Sequence, residues 1–289
     1  MDVTADGAIA VVKAHLRELG RACEVSVLAD RSNLVLALDP SSSIARVAMA
    51  TSASRVGLTW LKREVEVASF LAERGAPSTG PSTELPPGPH EREGYVLSYW
   101  AREMLVESVA PESKGRALAD VHAALRDYPH ERLPRLGAWD EARAMLPGLR
   151  ASDWLDPGSR ARVERAWDRA ERVVAGSETR TASWQAVHGD AHLGNVLATP
   201  KGALWTDWED AFLGPVEWDL ATLISRHRLF GEEPTLPAVL AAYGRPYEPT
   251  LMEELLEARS LQAIVWLHLF AERDPSLRAR VQARVDRLG

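Results

Sequence analysis

The chain has 289 residues, 46% of them hydrophobic and 26% charged, which suits one large or two modest globular domains. With 34 basic against 41 acidic residues, its net charge of −7 argues against a nucleic-acid partner, which wants a basic face. Cys23 is the single cysteine, so no internal disulfide forms and a reducing compartment is expected. The acidic start, Met1-Asp-Val-Thr-Ala-Asp, and the lack of any apolar run near ~18 residues point to a cytoplasmic protein away from membranes.

In chain order, Ile9, Val12, Leu16 and Leu19 recur at helical period across Ala8–Leu19, and Gly20 ends the run. Three strands are expected at Cys23–Leu28, Asn33–Leu38 and Ile44–Met49, joined by turn-rich Ala29–Ser32 and Asp39–Ser43 as an antiparallel meander. Leu61, Val65, Ala68 and Leu71 line one face of a long helix over Leu58–Arg74. Gly75–Pro89 reads as loop, and Gly94–Trp100 as a further strand, with Tyr95, Tyr99 and Trp100 packing the sheet. From Pro111 the pattern turns helical: Ser113–Leu125, Ala138–Leu149, Ser159–Val174, Val216–Phe230, Leu236–Ala242, Pro249–Ala271 and Pro275–Leu288. His122, on the first of these, reads as a satisfied core residue. So do Trp266 and His268 near the end, ahead of a pocket-lining role.

Between those helices lies Trp184-Gln-Ala-Val-His-Gly-Asp-Ala-His-Leu-Gly-Asn-Val-Leu197, followed by Leu204-Trp-Thr-Asp-Trp-Glu209. Asp190 and Asn195 stand in an Asp-x-x-x-x-Asn spacing, and Asp207 follows across a short hairpin. Phosphoryl transfer needs this combination: a carboxylate to orient the attacking hydroxyl and take its proton, and oxygen ligands for the Mg²⁺ that bridges nucleotide phosphates. Taken singly, each Asp or Asn is an ordinary turn residue. His188, Asp190 and His192 alternate, so on a strand they would share a face and hold zinc, but no Cys or further His completes such a set.

Jointly the segment resembles the catalytic loop of the aminoglycoside phosphotransferase and choline kinase family, itself similar to protein kinases. That family has Gly where protein kinases have Arg, as at Gly189, and Asp-Trp/Phe-Glu for Asp-Phe-Gly, as at Asp207-Trp208-Glu209. Gly214-Pro-Val-Glu-Trp-Asp-Leu-Ala221 is similar to its next segment. The resemblance implies an α+β, bilobal, protein-kinase-like fold. Residues 1–101 would be a small antiparallel-sheet lobe with one long helix and the hinge strand; 102–289 would be a larger, mostly helical lobe. It also implies ATP or GTP and Mg²⁺ as cofactors. Asp190 would be the base, Asn195 and Asp207 the metal ligands, and Asp219 the acid that braces the loop.

The same resemblance asks for a phosphate-gripping cation on the third strand. Arg46 is the only cation there, in place of the usual Lys, and it would pair with Glu64 in preference to Glu66. The first turn lacks the glycines of protein kinases, leaving backbone N–H groups near Ser32 and Asn33 to approach phosphate. At the hinge, Ser98 would offer its carbonyl and Trp100 its N–H to the adenine edge. Acceptor binding falls to Glu209 and Asp210, beside Asp190. The acid-rich stretch through Glu217, Glu232, Glu233, Glu248, Glu253, Glu254 and Glu257 suits a cationic acceptor. The expected protein is a monomeric or homodimeric antibiotic kinase. The alternatives are a metabolic kinase for choline, a sugar or an amino alcohol, and a catalytically silent nucleotide-binding module.

Overall fold

The computed structural model describes residues 4–30, 33–49 and 58–289. They divide into two compact units, Met1–Val109 with Leu197–Glu209, and Ala110–Val196 with Asp210–Gly289.

The first unit opens with helix α1 (Ala5–Glu18), whose first turn is capped where the Thr4 side chain accepts from the Gly7 amide. Its apolar stripe, Ala8, Val11, Val12 and Leu16, covers one face of an antiparallel sheet. Five strands form that sheet in the order β1 (Glu24–Asp30), β2 (Asn33–Asp39), β3 (Ser43–Ala48), β5 (Tyr95–Ala101) and β4 (His90–Arg92). Leu34, Leu36 and Leu38 on β2, Ala45 and Val47 on β3, and Leu97 and Tyr99 on β5 meet α1. Strand alternation then turns Arg46 to the opposite face, level with Val35 on β2 and Ser98 on β5. Strand β4 was not expected. Glu93 and Gly94 both take positive φ, which closes a tight hairpin back into β5.

Helix α2 (Thr59–Glu73) buries the predicted Leu61, Val65, Ala68 and Leu71, and Glu64 with them. A two-stranded hairpin, β7 (Val196–Thr199) and β8 (Gly202–Trp205), is held in this unit by reciprocal bonds. The Thr79 amide donates to the Trp205 carbonyl, and the Trp205 amide to the Pro77 carbonyl, both at 2.9 Å.

The second unit is mostly helical: α3 (Pro111–Leu125), α4 (Gly137–Arg150), α5 (Pro157–Gly176), α6 (Val216–Phe230), α7 (Leu236–Tyr243), α8 (Pro249–Ala271) and α9 (Arg278–Val285). Helix α8 is apolar on most sides and packs against α4, α5, α6 and α9, so it is the unit's central post. The final expected helix is instead a 3-10 turn at Pro275–Leu277, capped by Asp274, followed by α9. Strands β6 (Trp184–Val187) and β9 (Phe212–Pro215) pair antiparallel and deliver the chain into and out of the polar loop. No helix among the described residues is both long and apolar enough to cross a membrane.

Candidate active site

In the second unit, β6 ends at Val187 and the chain turns sharply. The amides of His188 and Gly189 donate to the two carboxylate oxygens of Asp219, at 2.7 and 2.8 Å. Asp219 is fully buried in the first turn of α6, where the helix N-terminus favours an acid. It also accepts from His122 Nε2 at 2.9 Å, and His122 Nδ1 meets the Tyr243 hydroxyl at 2.8 Å. Trp218 Nε1 donates to the Gly189 carbonyl at 3.0 Å. The amides of His188 and Gly189 and the Gly189 carbonyl therefore all have partners. The turn demands glycine, because Gly189 has φ of 87° and a Cβ there would lie 2.1 Å from the Asp210 carbonyl oxygen.

The turn presents Asp190, whose side chain is 27% exposed. Its Oδ1 accepts from Arg259 Nη2 at 2.5 Å. Its Oδ2 lies 3.3 Å from His192 Nε2. The Gly194 amide donates to His192 Nδ1 at 2.9 Å, which leaves the ring proton on Nε2, facing Asp190. Burial opposes the charge on Asp190, but Arg259, His192 and His188 outweigh it and hold the carboxyl well below its usual range. Asn195 donates from Nδ2 to the Asp190 carbonyl at 3.0 Å, which orients the amide and leaves its oxygen for another partner.

In the first unit, Arg46 contacts Glu64 directly and Asp207 Oδ1 at 2.6 Å, with Glu209 Oε2 at 3.6 Å. Asn33, with its amide oxygen turned to the guanidinium, accepts from Nε at 3.1 Å and Nη2 at 2.6 Å. Glu64 is 1% exposed, whereas Glu66 is 38% exposed and faces Lys62. Burial works against the charge on Arg46, but Asp207, Glu64 and Glu209 outweigh it and keep its pKa raised. Three carboxylates share one guanidinium, so the most buried of them binds a proton most readily. Burial pushes Glu64 up to about 8; Arg46 opposes the shift, and Asp207 and Glu209 add to it. Asp207 takes φ of 73°, a left-handed turn that Asp tolerates better than most residues. It sits between Trp205 and Trp208, both fully buried, with Trp208 Nε1 donating to Ser78 Oγ at 2.8 Å.

Several expected positions fall differently. Ser32 lies outside the described residues. Asn33 faces Arg46 through its side chain, so its main structural part is to orient that cation. Ser98 and Trp100 lie inside the ladder. The amides of Tyr99 and Ala101 donate outward to Pro87 and Gly80, so alternation points the backbone groups of Ser98 and Trp100 at β3. Their carbonyl and N–H are committed there and are not left for a nucleotide base. Glu209 turns to Arg46, and its carbonyl accepts from Arg63 at 3.2 Å, so it belongs to the Arg46 cluster. Asp210, half-buried, contributes the carbonyl that covers Gly189. His188, Asp190 and His192 are not on a strand, and among the described residues no group of three or more His, Cys, Asp or Glu is arranged to hold a metal.

The acid-rich stretch is also not a free anionic surface. Glu232 and Glu233 pair with Arg226, Glu253 with Arg228, Glu254 with Arg180 and Glu257 with Arg169, all at 3.0 Å or less. Glu217 is buried and accepts from Thr181 and from the amides of Ala182 and Glu248. The residue overlooked in the sequence is Arg259, which stands 69 positions from Asp190. Its one signal was being the first cation after that run of acids.

Of the expected magnesium ligands, the Asp207 carboxylate is a hard oxygen donor of the kind Mg²⁺ takes alongside water and phosphate. The Arg46 cluster sets three carboxylates against one guanidinium.

Comparison with known proteins bears on the whole chain. Curated protein sequences give no match. Among solved structures, a choline/ethanolamine kinase family protein from Mesorhizobium loti is 19% identical, with a TM-score of 0.69 over 98% of this chain and 92% of that one. Amicoumacin kinase hAmiN, solved with AMP-PNP, Ca²⁺ and Ami, is 14% identical, with a TM-score of 0.68 over 98% and 96%. Aminoglycoside phosphotransferase APH(3'')-Id from Streptomyces rimosus is 15% identical, with a TM-score of 0.62 over 90% and 99%. These likenesses establish the bilobal kinase-like fold. The profile described as "Phosphotransferase enzyme family" matches residues 32–258, and the chain belongs to that family.

Proposed function

We propose that the protein transfers the γ-phosphate of ATP or GTP to a hydroxyl of a small natural product such as an antibiotic. The observation that carries this reading is the Asp190 turn. A buried acid, Asp219, fixes the backbone so that the Asp190 carboxylate projects from it, and Asn195 is tied to the same residue. A silent binding module has no need of that bracing. In this reading Asp190 orients the acceptor hydroxyl and takes its proton. Asn195 and Asp207 are the magnesium ligands, and magnesium, when bound, neutralises charge on the nucleotide phosphates. Arg46, steadied by Glu64 and Asn33, grips those phosphates. Arg suits such a role through its planar, bidentate fork.

The test is transfer of labelled γ-phosphate from ATP and GTP to a panel of aminoglycosides, macrolides, choline and amino sugars, with Asp190→Ala alongside. Label on an acceptor that disappears in the variant supports the reading. Near-normal transfer by Asp190→Ala sinks it.

A further inference from the structure

Each oxygen of Asp190 already has one donor beside it. Arg259 holds Oδ1 and His192 faces Oδ2, yet a hydroxyl that yields its proton to Asp190 must reach one of them. His192 is the weaker obstacle, being neutral in this tautomer and more exposed. Arg259 is 16% exposed, bonded also to Gln262 Oε1 at 2.7 Å, and its buried Nε has no acceptor. An acceptor that displaces it from Asp190 leaves a largely buried guanidinium without a counterion.

Arg284, on α9, has no ion pair among the described residues. Burial brings its pKa down to about 10, and the positive charges of Arg280, Arg259 and Arg226 add to that shift. The carboxylates of α8 that might have balanced them are engaged by Arg169, Arg180 and Arg228. Beside the base one donor, Arg259 Nε, is unfilled.

Building on the kinase reading above, we propose that the acceptor carries a carboxylate close to the hydroxyl that is phosphorylated, and that Arg259 binds it. The acid then replaces Asp190 as the partner of Arg259, and binding itself frees Oδ1. In the transfer the acceptor oxygen forms a bond to the γ-phosphorus, and the bond to the leaving nucleoside diphosphate breaks. The hydroxyl proton passes to Asp190. Arg259 takes no proton and is a specificity-determining residue.

The experiment uses the intact protein with Mg²⁺ and ATP and matched acceptor pairs: gluconate against gluconamide and glucamine, and homoserine against its amide. Glucose 6-phosphate is added to separate a carboxylate from a phosphate. Wild type should favour each acid over its amide by roughly thirtyfold or more in kcat/KM. In Arg259→Gln that preference should collapse through KM, and Arg259→Lys should restore part of it. Because the readout is a ratio within one protein, a general loss of activity does not mimic the effect. Equal use of acid and amide by wild type, preference for glucamine, preference for glucose 6-phosphate over the acids, or an unchanged ratio in Arg259→Gln overturns the proposal. So does Mg–ATP binding in calorimetry with none of the acids bound. Loss of Mg–ATP binding itself would instead remove the kinase reading beneath it.

Discussion

The two charged centres are built from the same parts and balanced differently. Around Arg46 one guanidinium is shared by Glu64, Asp207 and Glu209; around Asp190 one carboxylate is shared by Arg259 and His192. The first has carboxylate to spare. The second pairs one carboxylate with one guanidinium, whose Nε has no acceptor. Each balance is set within a few ångströms, where Coulomb energies are several-fold larger than across solvent. The net charge of −7 is a poor guide to either.

The largest effects should come from removing the carboxylates themselves. Asp190→Asn is expected to lower kcat by about 10²–10⁴ while Mg–ATP binding, measured by calorimetry, is retained. Asp207→Asn should lower transfer to a similar degree and weaken Mg–ATP binding as well. If both variants bound Mg–ATP alike, the division of labour between the centres would be wrong.

Next in size is the brace. Asp219→Ala leaves two backbone amides and His122 without their acceptor in a fully buried place, a loss of about 3 kcal/mol or more. Thermal unfolding should show it as a clear drop in Tm. Gly189→Ala strikes the same turn by sterics, since neither the Asp210 carbonyl nor the positive φ can yield cheaply, and should cost about 1–3 kcal/mol. A wild-type Tm in either variant would show that the turn is not fixed by these contacts.

What the sequence revealed and concealed follows from distance along the chain. Asp190, Asn195 and Asp207 stood out in the sequence because an Asp-x-x-x-x-Asn spacing and a further acid fall within 18 residues of one another. The strands and helices were legible because period 2 and period 3.6 are local. Strand β4 escaped because three polar residues carry no such period. Arg259, and the arginines that neutralise the acids of α8, were illegible as partners because ion pairs join residues by side-chain reach alone. His122 read as a satisfied core residue, and it is one; only its partners Asp219 and Tyr243 reveal that it steadies the turn that carries Asp190. The hinge assignment failed on a matter of parity, since alternate residues of β5 face opposite neighbours.

The charge surplus around Arg46 also has a pH signature. In magnesium-free buffer the folded-state pKa of Glu64, about 8, lies above the ordinary 4.5. Between those values the folded protein holds a proton that the unfolded chain has released, so raising the pH through that window removes stability. Glu64→Gln should flatten the fall of Tm between pH 5 and 8 relative to wild type. Parallel curves would mean that Arg46 satisfies all three carboxylates without a shared proton.

The smallest expected effects test the other side of the comparison, the acids that looked from the sequence like an attraction for cations. Arg228→Ala frees Glu253 from a partner at 3.0 Å, with both side chains about half exposed. An exposed pair of this kind stabilises by at most about 1 kcal/mol, because solvent screens it and two long side chains must be held still. Tm should therefore hardly move. If such acids recruited the acceptor, unmasking one would improve KM for a cationic acceptor such as an aminoglycoside. If selection instead lies at Arg259, the acid-to-amide preference of the Arg228→Ala protein stays at its wild-type value. The two readings thus part on a variant that barely disturbs the fold, which makes this the cleanest comparison of surface charge with charge at the base.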